Sequence, residues 1–106
     1  MAISKKGLRR ITVDKQEYVW RAISDDDGNF NIAVSLPERK GQLLTSCINI
    51  ISEKGVLIIT HYIVRQMILL GLEDNWTPKE QKVPLFLYGI NEKLNLEKAT
   101  YWNPKK

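Results

Sequence analysis

The chain carries one cysteine, Cys47, and one histidine, His61, and these are the residues whose chemistry would be most telling. As a nucleophile and its base they would have to lie within hydrogen-bond reach. Cys47 falls inside the alternating run "LLTSCINII", with Thr45 and Asn49 on its face, whereas His61 opens a segment with helical spacing. Nothing in the pattern brings the two together, and a cysteine buried in a strand is normally inert. One cysteine and one histidine cannot complete a zinc site without carboxylates, and their spacing resembles no metal motif. The acidic run "DDDGN" invites a calcium reading. Aligning Gly28 with the sixth position of an EF-hand loop, however, places Ile23 and Val34 at the first and twelfth, where oxygen ligands are required. The run therefore reads as a solvated turn. No GxGxxG, Walker, HExxH or GxSxG pattern is present. The expectation is a non-enzymatic protein without catalytic residues, metal or cofactor.

Binding is the remaining chemistry. Sixteen Lys and Arg against twelve Asp and Glu give a net charge of +4 over 106 residues, a mild excess compatible with nucleic acid and far from diagnostic of it. The charge is uneven, with Lys5, Lys6, Arg9 and Arg10 near the start and Lys105 and Lys106 at the end. In "GLRRITVDKQEYVWRAI" the alternation puts Arg10 and Arg21 on one hairpin face, with Arg9 and Lys6 close by. Lys6, Arg9, Arg10 and Arg21 are thus a candidate nucleic-acid surface, able to track phosphates. Against it, Tyr18 and Trp20 fall on the opposite face with Ile11 and Val13, and the outer face formed by Thr12, Val19, Ile23 and Ala33 offers no aromatic ring to stack a base. A second candidate surface lies on the outer side of the helical segment. There Leu69 sits among Tyr62, Arg65 and Gln66, an apolar spot with a polar rim suited to a protein partner.

The elements that position these residues follow from periodicity. Residues 11–13 and 17–23 alternate around the polar "DKQE", a hairpin signature whose loop is either Asp14-Lys15 or Lys15-Gln16, both giving the same faces. "FNIAVSL" is a half-buried strand, and "LLTSCINII" and "VLIIT" form a hairpin through "SEKG". From residue 60 to about 73 the period becomes helical, with Thr60 as N-cap and Asn75 as the stop. Ile63, Val64, Met67, Leu70 and Gly71 share the stripe that should face the sheet. Gly71, costing about 1 kcal/mol against alanine inside a helix, implies close approach to a strand. "PLFLYGI" is a sixth strand, placed at an edge or beginning at Pro84. The expected fold is α+β: a mostly antiparallel sheet of about six strands with one helix on one face, ordered β-β-β-β-β-α-β. The expected core is Ile11, Val13, Tyr18, Trp20, Phe30, Ile32, Val34, Ile48, Ile50, Ile63, Val64, Met67 and Leu70. Residues 1–90 form a single domain and 91–106 a tail that either docks through Leu94, Leu96, Tyr101 and Trp102 or stays mobile. No apolar run approaches the roughly 20 residues of a membrane helix. A single cysteine excludes an internal disulfide, and no signal peptide is read at the start. A cytoplasmic location is expected, with no membrane association.

"RRITVDKQEYVWRA", "IITHYIVRQMILLGL", "NWTP" and "PLFLYGI", in that order, resemble a group of small uncharacterised bacterial proteins. Those show an ITVDG-x-x-Y-x-W start, an ITP-x-x-V-x-x-x-I helix, a GW-x-P turn and a final short strand. The resemblance spans residues 9–90 and departs from the pattern at Lys15, His61 and Asn75, where glycine, proline and glycine are usual. These are turn and cap positions. It implies no activity; by analogy with small bacterial proteins of this sort it implies an accessory or toxin-neutralising (immunity) role as a protein-binding module. The basic charge speaks against neutralising a nucleic-acid-binding toxin, whose inhibitors are usually acidic. Weak nucleic-acid binding through the basic sheet face is the alternative, and self-association through the edge of the strand at residues 85–90 a third.

Overall fold

The computed structural model describes residues 7–25 and 27–103. Strands β1 (Arg9–Val13), β2 (Gln16–Ser24), β3 (Asn29–Ser35) and β4 (Leu44–Asn49) form an antiparallel meander. The first turn is the two-residue loop Asp14-Lys15, with φ of 49° and 72°, positive at both positions as in the primed turns that match strand twist. Strand β5 (Ile51–Ser52) and strand β6 (Gly55–Leu57) form the expected tight hairpin. Helix α1 (His61–Glu73) follows, then β7 (Leu85–Leu87), a one-turn helix α2 (Ile90–Lys93) and β8 (Tyr101–Trp102). The fold is α+β, with mostly antiparallel sheet and one main helix packed against it.

The eight strands fall into two sheets, ordered β1-β2-β3-β4-β7 and β5-β6-β8. The division occurs where β4 ends. The Asn91 side chain, at the start of α2, donates to the Asn49 carbonyl and accepts from the Asn49 N–H, both at 3.0 Å. A side-chain amide thus takes the place of a neighbouring strand, and the chain leaves the first sheet there. The expected fourth strand is accordingly cut at Ile50, and its continuation pairs only with β6. Strand β7 lies at the edge of the first sheet, as its proline predicts, and pairs with β4 in parallel.

One face of the five-stranded sheet is core. Ile11, Val13, Tyr18, Trp20, Ile32, Val34, Leu44, Ile48 and Leu87 point inward against Ile63, Val64, Met67 and Ile68 of α1. The buried stripe includes Ile68 rather than Leu70, which is only half-buried, so the helix is turned slightly from the expected orientation. Phe30 is also half-buried, because it borders an open cleft between the two sheets. Gly71 meets the sheet as anticipated: a Cβ there would stand 2.6 Å from a terminal methyl of the fully buried Leu44. Thr60 is the N-cap, but its hydroxyl makes no capping bond; its backbone carbonyl accepts from Ile63 and Val64. Beyond Glu73, Asn75 adopts φ of 68° and the Trp76 N–H bonds the Gly71 carbonyl, a Schellman-type ending. Trp76 is buried against Tyr18 and donates its indole N–H to the Gln42 carbonyl at 2.9 Å. The Gln42 side chain in turn holds Thr77 and the Val83 carbonyl, fixing the loop between α1 and β7.

The C-terminal tail docks over its described residues, 91–103. Leu94 is buried, Leu96, Ala99 and Tyr101 pack on the core, and β8 completes the small sheet, while Trp102 stays exposed. No helix among the described residues is long and apolar enough to cross a membrane.

Candidate functional site

The outer face of the five-stranded sheet holds the best-formed exposed surface. Cross-strand pairing places Arg21, Ala33, Thr45 and Phe86 in one row over β2, β3, β4 and β7. At the usual strand spacing that row is about 14 Å from end to end. Its middle residues are small, so it forms a shallow trough with a cation on one bank and an aromatic on the other. Phe86 is 39% exposed and its ring lies 4.7 Å from that of Tyr88, which is 78% exposed. Ile23 and Asn31 extend the same face. The expectation that this face lacks aromatics is therefore corrected: it holds once β7 is left out of the sheet, and fails because β7 joins β4 with Phe86 outward. The far corner is closed, since Val19 and Leu43 are buried there with Leu8 and Ala33 packed against them.

The candidate basic residues do not form one cluster. Arg10 and Arg21 share the outer face, but Arg10 is paired with Glu17 at 2.8 Å in an exposed ion pair. Such pairs contribute between about 0 and 1 kcal/mol. Arg9 lies on the opposite face, because alternation sets it with Ile11 and Val13; its guanidinium stands over the Trp20 ring, 5.6 Å from the centroid. Lys6 lies outside the described residues.

The candidate helix surface is largely occupied by the chain itself. Tyr62 and Leu69 are half-buried and pack on the core. Gln66 donates to the Asn95 carbonyl at 2.9 Å and accepts from its N–H at 2.7 Å, fastening the tail across this side of α1. Arg65 remains exposed, 3.8 Å from the Asp14 carboxylate. What is left open is a shallow hollow bounded by Leu69, Leu70, Leu72 and Lys93.

Cys47 is half-buried rather than buried, and faces outward beside Asn31. His61 lies on the inner side, its ring edge-on to Trp20 at 6.4 Å. The sheet itself separates the two, so they form no dyad. In the acidic turn the Asp25 carboxylate accepts from the backbone N–H of Asp27 and Asn29, at 2.8 and 3.1 Å, and so holds its own loop; Asp26 lies outside the described residues. Among the described residues no three acidic, histidine or cysteine side chains gather in a metal-binding cluster. Burial, with the Asp14 carboxylate adding, pushes the Tyr18 phenol above its ordinary value, so it stays neutral well into alkaline pH.

Neither the aromatic pair nor the inter-sheet cleft was singled out from sequence. The first had a faint signal in the unbroken apolar run "PLFLYGI"; the second had none, since it arises from the split into two sheets. No family model, curated protein or solved structure matches the chain.

Proposed function

We propose that this chain is a non-enzymatic protein-binding module whose contact surface is the outer trough between Arg21 and the Phe86–Tyr88 pair. The observation that carries the reading is that pair, two contacting aromatic rings left exposed at the open edge of a sheet. Aromatic side chains and arginine are the residues enriched in the buried centres of interfaces. The edge beside them is unpaired, so an extended segment of a partner can add to β7 while its side chains enter the trough. The role we assign is that of a bacterial accessory or immunity protein acting in the cytoplasm, on the strength of the resemblance and the free thiol of Cys47. The test is capture of partners from lysate of the source organism with tagged protein, with and without nuclease, using the parent chain and a Phe86→Ala/Tyr88→Ala variant. A protein retained by the parent after nuclease and lost by the variant supports the reading. A protein retained equally by both places the contact elsewhere.

One observation favours a second reading, weak binding of single-stranded nucleic acid. Arg10 and Arg21 now share their face with rings that could stack a base. Two cations can neutralise at most two phosphates, so the logarithm of affinity would fall with the logarithm of salt at a slope of about −1.4. This weak electrostatic footprint is why the protein partner ranks first. Anisotropy of a labelled oligonucleotide, measured across salt with Arg21→Glu as control, decides it; absent or salt-independent binding removes the reading. Self-association through the same β7 edge would appear as a dimer mass in light scattering.

A further inference from the structure

The two sheets do not close against each other. Between them lies a cleft of about 470 Å³ whose walls are Ala22 and Phe30 from the large sheet and Val56 and Leu57 from the small one. Ile50 and Ile59 complete the apolar lining, Trp20 forms part of the floor, and Arg9 stands at the mouth. The volume falls in the range of small-molecule sites, which are apolar with a few placed polar groups.

Two features of this cleft are unlike the rest of the molecule. The first is Trp20. It is 2% exposed, and its indole nitrogen is the one buried side-chain polar atom among the described residues without a hydrogen-bond partner. Trp76 in the same core shows the normal condition, with its indole N–H given to the Gln42 carbonyl. Buried donors are nearly always paired, so an orphan beside a cavity calls for an acceptor that is not part of the described chain. The second is Arg9. A guanidinium held over the Trp20 ring at the entrance is a charged, fork-shaped donor next to an apolar chamber. No carboxylate is paired with it among the described residues' ion pairs, in contrast to Arg10 and Arg65.

We propose that the inter-sheet cleft binds a small monocarboxylate with an apolar body, the carboxylate held by Arg9 and the body lying against Trp20, Phe30 and Val56. Guanidinium and carboxylate match in charge and in bidentate geometry. The apolar walls exclude an ion without such a body, and the arginine disfavours amines. The carboxylate oxygens are the only acceptors of such a ligand, and with Arg9 standing over the Trp20 ring they are also the acceptors offered to the unpartnered Trp20 N–H. This site is on the opposite side of the large sheet from the trough, and it stands or falls independently of the proposed partner surface.

The experiment is a titration of the full, ¹⁵N-labelled chain followed through its indole N–H resonances, with that of Trp20 assigned by its loss in Trp20→Phe. The probes are phenylacetate and hexanoate, which distinguish an aromatic body from an acyl chain, with phenylacetamide and benzylamine as neutral and cationic counterparts. A saturable shift of the Trp20 resonance is expected with one or both carboxylates. Affinity should fall roughly tenfold or more for phenylacetamide, and likewise for phenylacetate or hexanoate with Arg9→Gln. Arg9 is exposed, so that variant keeps the parent spectrum elsewhere. Ala22→Leu, which fills the cleft and keeps the Arg9 guanidinium, should abolish the shift. An unmoved Trp20 resonance with both carboxylates, an amide that binds as well as the acid, or full affinity in Arg9→Gln would each overturn the proposal.

Discussion

Two tryptophans of similar burial allow the worth of single groups to be separated. Trp20 and Trp76 are 2% and 3% exposed, yet only Trp76 has an acceptor for its indole N–H. Replacing either with phenylalanine removes a comparable volume. Trp76→Phe also strands the Gln42 carbonyl, whereas Trp20→Phe removes a donor that was already unpaired. Breaking a paired buried group costs about 1–3 kcal/mol, while removing an unpaired one returns part of that penalty. Trp76→Phe should therefore be the more destabilising by about 2 kcal/mol in urea denaturation; equal losses would show that the Trp20 N–H has found an acceptor in solution. Lys15 offers a second comparison. Its φ of 72° is a left-handed conformation that costs an L side chain roughly 1–2 kcal/mol. Glycine relieves that strain but gives up roughly 0.5–1 kcal/mol in unfolded-chain entropy. Lys15→Gly should raise the denaturation midpoint modestly, by up to about 1 kcal/mol in stability.

At the scale of elements, α1 shows tertiary contact overruling intrinsic preference. Alanine at position 71 would improve helix propensity by about 1 kcal/mol. It would also drive a methyl to 2.6 Å from the side chain of the fully buried Leu44, which would have to shift within the core. Overpacking of this kind costs about 1–3 kcal/mol. Gly71→Ala should destabilise on balance in thermal melts, and Gly71→Ala with Leu44→Val should recover part of the loss. The closeness of Gly71 to a strand was legible in sequence because a glycine inside an apolar helical stripe has few other uses. The first hairpin was legible for a similar reason, with alternating β-branched and aromatic residues around a polar turn. The split into two sheets was not. It depends on Asn91 meeting the end of β4 across 42 positions of chain, and no local pattern encodes that contact. The outward face of β7 was hidden too. Leu85, Phe86, Leu87 and Tyr88 are all apolar or aromatic, so period-two contrast vanishes and only the pairing of Thr45 with Phe86 decides which side each residue takes. That single register places Phe86 at the far end of the row that begins at Arg21, and so creates the candidate partner surface.

The whole molecule is two sheets of unequal strength sharing one helix-backed core. Strands β2 and β3 are nine and seven residues long and have neighbours on both sides. The small sheet has strands of two, three and two residues, with Ile51 and Trp102 58% and 59% exposed. Few buried contacts and exposed backbone bonds are the conditions under which part of a protein opens before the rest. Native-state hydrogen exchange should accordingly divide the chain. Amides of β2 and β3 should exchange only with global unfolding and with its full denaturant dependence. The Leu57 N–H, bonded to the Ile50 carbonyl, and the Ile58 N–H, bonded to the Thr100 carbonyl, should open at a free energy lower by about 2 kcal/mol or more and with a shallower dependence. The same opening would widen the inter-sheet cleft, whose outer wall is Val56 and Leu57. A ligand that binds only the closed form then stabilises the small sheet by mass action, by about 2.7 kcal/mol at a hundredfold excess over its dissociation constant. Saturating phenylacetate or hexanoate should slow exchange at Leu57 and Ile58 while leaving β2 and β3 close to their global limit. If the small sheet already exchanged with the large one as a single cooperative unit, the cleft would be a rigid feature of the core, and ligand would raise protection at every slow amide alike.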